Sequence, residues 1–238
     1  MIFKTLPSFF NLEKMRDQYF SLYQWLEKNL PFSVFLSVQD IPWEEKKIQP
    51  LLSPMENEIV NRFQSESRKK EFSLGRIFLK KLIGQMTGED FYSFAILKDT
   101  DGKPYLYPQA QENIYISLSH KTHFLWAGVS RKSFGIDIEK KDPRLLKLIP
   151  KFINIKDQKF LGPNPDLEKL ARIWTFKEAA VKCIGIDFMD IASNLSLENS
   201  ENGESLLIYY NKIKDIRIFL KGYSIESGNY LFSIVTRE

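Results

Sequence analysis

FGIDIEKKDPR, residues 134–144, reads as a short apolar strand that ends in charge. Successive side chains of a strand point to opposite faces, so Asp137 and Glu139 share one face and Ile136 and Ile138 the other. Taken alone, Asp-x-Glu on a strand reads as a solvated outer face. The same pair also has the donor chemistry for Mg2+, a hard cation that keeps one or two protein carboxylates and fills its shell with water and substrate phosphate. The rest of the chain has to decide between these readings.

Downstream, WTFKEAAVK covers residues 174–182. On a helix, Trp174, Glu178 and Lys182 fall at i, i+4 and i+8, on one side. Ala179, Ala180 and Val181 are compact and suit close approach to a neighbour. Alone, this segment is an amphipathic helix with a Glu–Lys pair worth a few tenths of a kcal/mol. If Glu178 meets Asp137 and Glu139, three carboxylates converge, which is unfavourable without a cation and favourable with one. On that argument, removing Asp137 relieves repulsion and is expected to spare the fold.

Upstream, 12–29 has helical apolar spacing, 32–40 is β-rich, and 52–88 has long helical periodicity with Ser53 and Pro54 at its start and Gly88 at its end. Residues 91–99, 113–120 and 124–130 read as strands, and 100–104 as a turn. After the opening strand, 143–154 and 166–185 read as helices, the second stopped by Gly185. Residues 194–199, 205–211, 216–225 and 230–237 read as strands. The second half loosely repeats the element order of the first.

The chain has 238 residues, 43% apolar and 27% charged, which fits a soluble globular protein with a substantial core. A net charge of +4 is too mild to indicate nucleic-acid binding and suits an acidic partner or a phosphorylated substrate. One cysteine, Cys183, excludes a disulfide framework and a multi-cysteine zinc site. No apolar run approaches the ~20 residues of a membrane span, and the N-terminus lacks a signal peptide's apolar stretch, so the expected setting is cytoplasmic.

GIDIE followed by WTFKEAAVK resembles the signature pair of the 4'-phosphopantetheinyl transferases, and every fixed position of both motifs is filled. SLSH (117–120), GKPYL (102–106) and GRIFLKKLIG (75–84) resemble further segments of that family, so the similarity covers roughly 50–185. The length matches its larger, pseudo-dimeric, surfactin-synthetase-activator type. The resemblance implies an α+β fold of two similar halves about a pseudo-twofold axis, each with a small, mostly antiparallel sheet and a long helix. The implied halves are 1–132, for 3'-phosphate and adenine recognition, and 133–238, with the metal site and catalytic helix. The active site would lie in the cleft between them, and the enzyme would act as a monomer.

Such enzymes move 4'-phosphopantetheine from coenzyme A to a serine hydroxyl of an apo acyl or peptidyl carrier protein and release adenosine 3',5'-bisphosphate. By resemblance, Asp137, Glu139 and Glu178 are the ligands of Mg2+, or of Mn2+. Glu178 is also the candidate base for the serine proton, and Lys182 neutralises charge on the transferring phosphate and leaving group. Lys177 is a further phosphate-binding candidate. Arg76 and Arg68 would hold the 3'-phosphate, Ser119 and His120 would contact the coenzyme, and Lys103 and Pro104 would shape the turn beside adenine.

The chain departs from the family pattern after LSP, where some relatives carry basic residues and this sequence has Met55, Glu56 and Glu58. Before the second motif, Asp157 stands near the place of a family acid. Two alternatives stay open at this point: a catalytically silent module that binds coenzyme A or a carrier protein, and another metal-dependent phosphodiesterase. No nucleic acid and no membrane are expected as partners.

Overall fold

The computed structural model describes residues 32–90, 94–99, 102–108, 113–163, 165–201 and 204–237, with Gln24, Glu27 and Leu30. Apart from Gln24 and Glu27, the helix expected over 12–29 lies outside the described residues. The fold is α+β and divides into two compact units, Met1–Arg131 and Lys132–Glu238.

In the first unit, strand β1 (Ser33–Ser37) is followed by helices α1 (Glu45–Ile48), α2 (Pro54–Asn61) and α3 (Glu66–Thr87). Then come the hairpin of β2 (Ala95–Lys98) and β3 (Pro104–Tyr107), and the strands β4 (Tyr115–Lys121) and β5 (Phe124–Ser130). The main sheet is antiparallel in the order β1-β5-β4. The spacing over 52–88 predicts one helix, but the structure holds two. Residues 62–65 interrupt them because Ser65 starts afresh as an N-cap, its hydroxyl accepting from the Arg68 amide.

In the second unit, β6 (Phe134–Lys140) leads to helices α4 (Arg144–Phe152), α5 (Ile155–Leu161), α6 (Leu167–Ile184) and α7 (Phe188–Asn194). Strands β7 (Leu195–Glu201), β8 (Glu204–Asn211), β9 (Ile216–Ser227) and β10 (Tyr230–Arg237) complete an antiparallel sheet in the order β6-β10-β9-β8-β7. Helix α6 stops where expected, at Gly185 with φ +70°, a left-handed conformation that costs glycine little. Helices α5 and α7 were not expected from periodicity, because each is only seven residues long.

The halves share more than element order. In each unit the first strand pairs antiparallel with the last, which pairs with the one before it. In each, a short helix opens with a capping box whose acid, Glu56 or Asp157, meets a lysine of the long helix. Lys80 lies 2.8 Å from Glu56 and donates to the Leu51 carbonyl, two residues before the N-cap Ser53. Lys177 lies 2.5 Å from Asp157 and donates to the Phe152 carbonyl, two residues before the N-cap Asn154. All four side chains are essentially excluded from solvent. Among the described residues, no helix is long and apolar enough to cross a membrane.

Candidate active site

The face of β6 that carries Asp137 and Glu139 is covered by α6 rather than solvated. The two carboxylates are 7% and 5% exposed. Gly135, on the same face two residues earlier, is why the helix comes so near. A Cβ built there would stand 1.9 Å from the Ala179 carbonyl oxygen and 2.7 Å from the Cys183 nitrogen. The glycine of Gly-Ile-Asp-x-Glu therefore seats the helix that carries Glu178 and Lys182. Its neighbours reinforce the seat. Ser133 donates to the Cys183 carbonyl, and the Thr175 and Ser233 hydroxyls are 2.7 Å apart. Ser233 is the register partner of Asp137 on β10.

Gly135→Ala is expected to cost about 3 kcal/mol, the upper end for overpacking, because the obstacle is helix backbone and not a flexible side chain. Thermal unfolding of the variant checks this. A change within about 0.5 kcal/mol, ordinary for a surface site, would show that this approach does not set the helix position.

Lys182 reaches down from α6. Its ammonium donates to the Ile136 carbonyl and to Asp137 Oδ1, both at 2.8 Å. Glu139 Oε1 accepts from the Lys140 amide at 2.8 Å. Glu178 is half-buried on the same helix. Among the described residues, no three His, Cys, Asp or Glu side chains are gathered closely enough to form a metal-binding group. The expected picture of three converging carboxylates is thus replaced by a carboxylate–ammonium pair. Carboxylates repel one another, and the charge that Asp137 meets is Lys182. Two carboxylates on one covered strand face still match the one or two that Mg2+ takes from a protein.

Two other expectations for α6 need correction. Lys177 is no phosphate ligand at the surface. It is 0% exposed, and its ammonium donates to Asp157 and to the carbonyls of Phe152 and Ala192 at 2.5–2.8 Å. Burial pushes this amine down and the Asp157 carboxyl up, against their mutual attraction. Trp174 does not face a charged ligand with Glu178 and Lys182. It packs against Phe152 and Phe188, with ring centroids 5.0 and 5.2 Å away. Each i+4 step overshoots a full turn by about 40°, so two steps turn Trp174 roughly 80° from Lys182.

In the first unit, Arg68 of α3 and His120 of β4 come together, with Nη1 3.4 Å from Nε2. Arg68 also lies 3.8 Å from Glu71. Arg76 is 3% exposed, lies over the Phe72 ring at 4.1 Å and donates Nε to the Ile96 carbonyl. Burial pushes its guanidinium down to about 10. Ser119 is buried while His120 is exposed, as alternation along β4 requires, so they do not share a face. Gly102, Lys103 and Pro104 form a turn closed by bonds from the Lys103 amide to the Asp99 side chain and from the Gly102 amide to the Asp99 carbonyl. Sequence reading missed the buried Lys80–Glu56 and Lys177–Asp157 pairs. Their signal was the repeated capping box, Ser-x-x-Glu and Asn-x-x-Asp, ahead of each long helix.

Known proteins resemble the chain along both units. Residues 133–235 match the family model described as the 4'-phosphopantetheinyl transferase superfamily, and residues 42–130 match that of the 4'-phosphopantetheinyl transferase N-terminal part. A 4'-phosphopantetheinyl transferase of Bacillus subtilis is 23% identical over 60% of this chain and 64% of its own length. The 4'-phosphopantetheinyl transferase HetI of Nostoc sp. is 27% identical over 59% of this chain and 64% of its own length. The 4'-phosphopantetheinyl transferase gsp of Aneurinibacillus migulanus is 24% identical over 68% of this chain and 69% of its own length. The matches to the first two relatives thus span less than two thirds of those proteins. With one model matching each unit, and more than half of the residues matched between them, the chain belongs to the 4'-phosphopantetheinyl transferase superfamily.

Proposed function

We propose that this chain transfers 4'-phosphopantetheine from coenzyme A to a serine hydroxyl of an apo acyl or peptidyl carrier protein, releasing adenosine 3',5'-bisphosphate. The observation that carries the reading is the covered face of β6, where Asp137 and Glu139 lie beneath the helix that bears Glu178 and Lys182. Asp137 and Glu139 would hold Mg2+ or Mn2+, which when bound would neutralise charge on the pyrophosphate, and Glu178, with no three carboxylates gathered among the described residues, is left to the proton.

The chain's own groups divide the remaining work. Glu178 takes the proton of the attacking serine on a carboxylate oxygen as the serine oxygen bonds to phosphorus. An ordinary glutamate is a weak base, so its placement on a rigid helix carries much of the effect. Lys182, oriented by Asp137 and the Ile136 carbonyl, stabilises charge on the phosphate oxygens and on the departing bisphosphate. Residues of the first unit, Arg68, Arg76, Lys103, Pro104 and His120, recognise the nucleotide.

The test is incubation with coenzyme A, Mg2+ and a panel of apo-carrier proteins, followed by mass spectrometry of each carrier. The expected result is a gain of one phosphopantetheine on at least one carrier, with adenosine 3',5'-bisphosphate released. Coenzyme A binding with no gain on any carrier would instead mark a silent binding module.

A further inference from the structure

In WTFKEAAVK, Trp174 packs on Phe152 and Phe188, Lys177 is locked to Asp157, and Lys182 meets Asp137. Thr175 sits among them, 0% exposed. Helix propensity does not favour threonine there, and a buried hydroxyl needs partners. It has two. Thr175 Oγ1 donates to the Arg172 carbonyl at 3.1 Å and lies 2.7 Å from Ser233 Oγ. A hydroxyl has one proton to give. That of Thr175 is committed to Arg172, so between the two hydroxyls Ser233 is the donor and Thr175 the acceptor.

Ser233 stands beside the metal-binding candidate. It is the register partner of Asp137, on the face that α6 covers. Side chains directly opposite in an antiparallel pair have Cβ atoms about 4.5–5.5 Å apart, which brings a serine hydroxyl within reach of a carboxylate. On its other side Ser233 is the register partner of Ser224 on β9. Ser224 Oγ accepts from Arg172 Nη1 at 3.0 Å, and Arg172 Nη2 is held by Glu168 at 2.7 Å. The cross-strand row Asp137, Ser233, Ser224 thus meets Lys182, Thr175 and Arg172 of α6 in turn.

We propose that Thr175 is a positioning residue for the divalent cation: by accepting the Ser233 proton, it keeps that proton off Asp137 and leaves the carboxylate to Lys182 and the metal. This rests on the reading of Asp137 as a metal ligand. Without the Thr175 oxygen, the Ser233 hydroxyl would turn to one of its cross-strand neighbours. Ser224 offers a neutral oxygen already taken by Arg172. Asp137 offers a carboxylate, and a hydrogen bond to a charged acceptor is roughly twice as strong as one to a neutral acceptor. Lys182 already holds Oδ1, so a second local donor would occupy acceptor sites that a cation needs and pull the carboxylate toward β10. The position asks for a hydroxyl, which serine also supplies and valine or alanine does not.

The test is titration of the full chain with Mn2+ alone, the free ion being read by electron paramagnetic resonance. Thr175→Val, close in shape, is expected to weaken Mn2+ binding about tenfold, the scale of one hydrogen bond to a charged group. Thr175→Ser is expected to bind within about twofold of the parent. Ser233→Ala, which removes the competing proton, is expected to bind at least as tightly as the parent. Combined with Thr175→Val, it should restore the affinity to within about twofold of the parent. A role in packing alone predicts the opposite, since the double variant loses two buried groups and would bind no better than Thr175→Val. Parent-like binding by Thr175→Val, weakened binding by Ser233→Ala, or a double variant no tighter than the single would each overturn the proposal. If Thr175→Val does not fold, Thr175→Ala with and without Ser233→Ala is read in the same way. No Mn2+ binding by the parent would overturn the proposal together with the metal reading of β6, while the carrier assay still decides the transfer reading by itself.

Discussion

Lys177→Met is expected to destabilise the second unit by roughly 3–5 kcal/mol, the cost of removing one partner of a buried ion pair. For a chain of this size that lowers the melting temperature by about 10 °C. The loss comes from what remains. Asp157 would keep a carboxylate with no ammonium against it, and the Phe152 and Ala192 carbonyls would lose their donor. Pairing the change with Asp157→Leu should recover much of the loss, since the two positions are in contact and a buried pair replaced by apolar groups is often neutral. Differential scanning calorimetry of the two single variants and the double variant gives the coupling. If Lys177 bound substrate phosphate, as the motif alone suggests, the single variant would melt normally and the defect would lie in KM or kcat. A melting temperature within about 2 °C of the parent would therefore restore the substrate-binding reading. The equivalent pair, Lys80 with Glu56, is expected to behave in the same way, being equally buried and built on the same capping box.

The contrast between Lys177 and Lys182 shows what the sequence could and could not convey. Both lysines lie on α6, five residues apart. Spacing alone placed Lys182 with Glu178 and put Lys177 about 100° around the helix from Glu178, on a flank. It could not say whether that flank met water or a second layer of helices. The layer consists of α4, α5 and α7, two of which are too short to show periodicity, so the burial of Lys177 was hidden. The strand and the glycine stop of α6 were legible because each rests on a local rule: alternation along β6 and the left-handed preference of Gly185. The role of Gly135 was not, because its reason is a carbonyl on a helix more than forty residues away in sequence.

Asp137→Asn is expected to lower carrier modification by about a thousandfold or more while leaving a folded protein, a loss on the scale seen when a charge that acts in the transition state is deleted. The substitution is nearly isosteric, so it removes charge from the covered face of β6 without opening space. Lys182 would lose its ion pair and keep the Ile136 carbonyl, and its amine would no longer be held in the same place. The pair is only partly shielded, with the Lys182 side chain 28% exposed, so the stability cost is about 1 kcal/mol. This revises the argument from repulsion among three carboxylates, under which removing Asp137 would cost nothing; the ammonium that Asp137 meets reverses the sign. Lys182→Met should produce a similarly small loss of stability, and Asp137→Asn with Lys182→Met should be non-additive in unfolding because each single change already breaks the pair. The decisive measurement is transfer rate beside melting temperature for Asp137→Asn. If rate and stability fell together in proportion, Asp137 would be a structural residue of β6. If the rate held, the carboxylate would have no part in the chemistry, and the covered strand face would be only the seat of the helix above it.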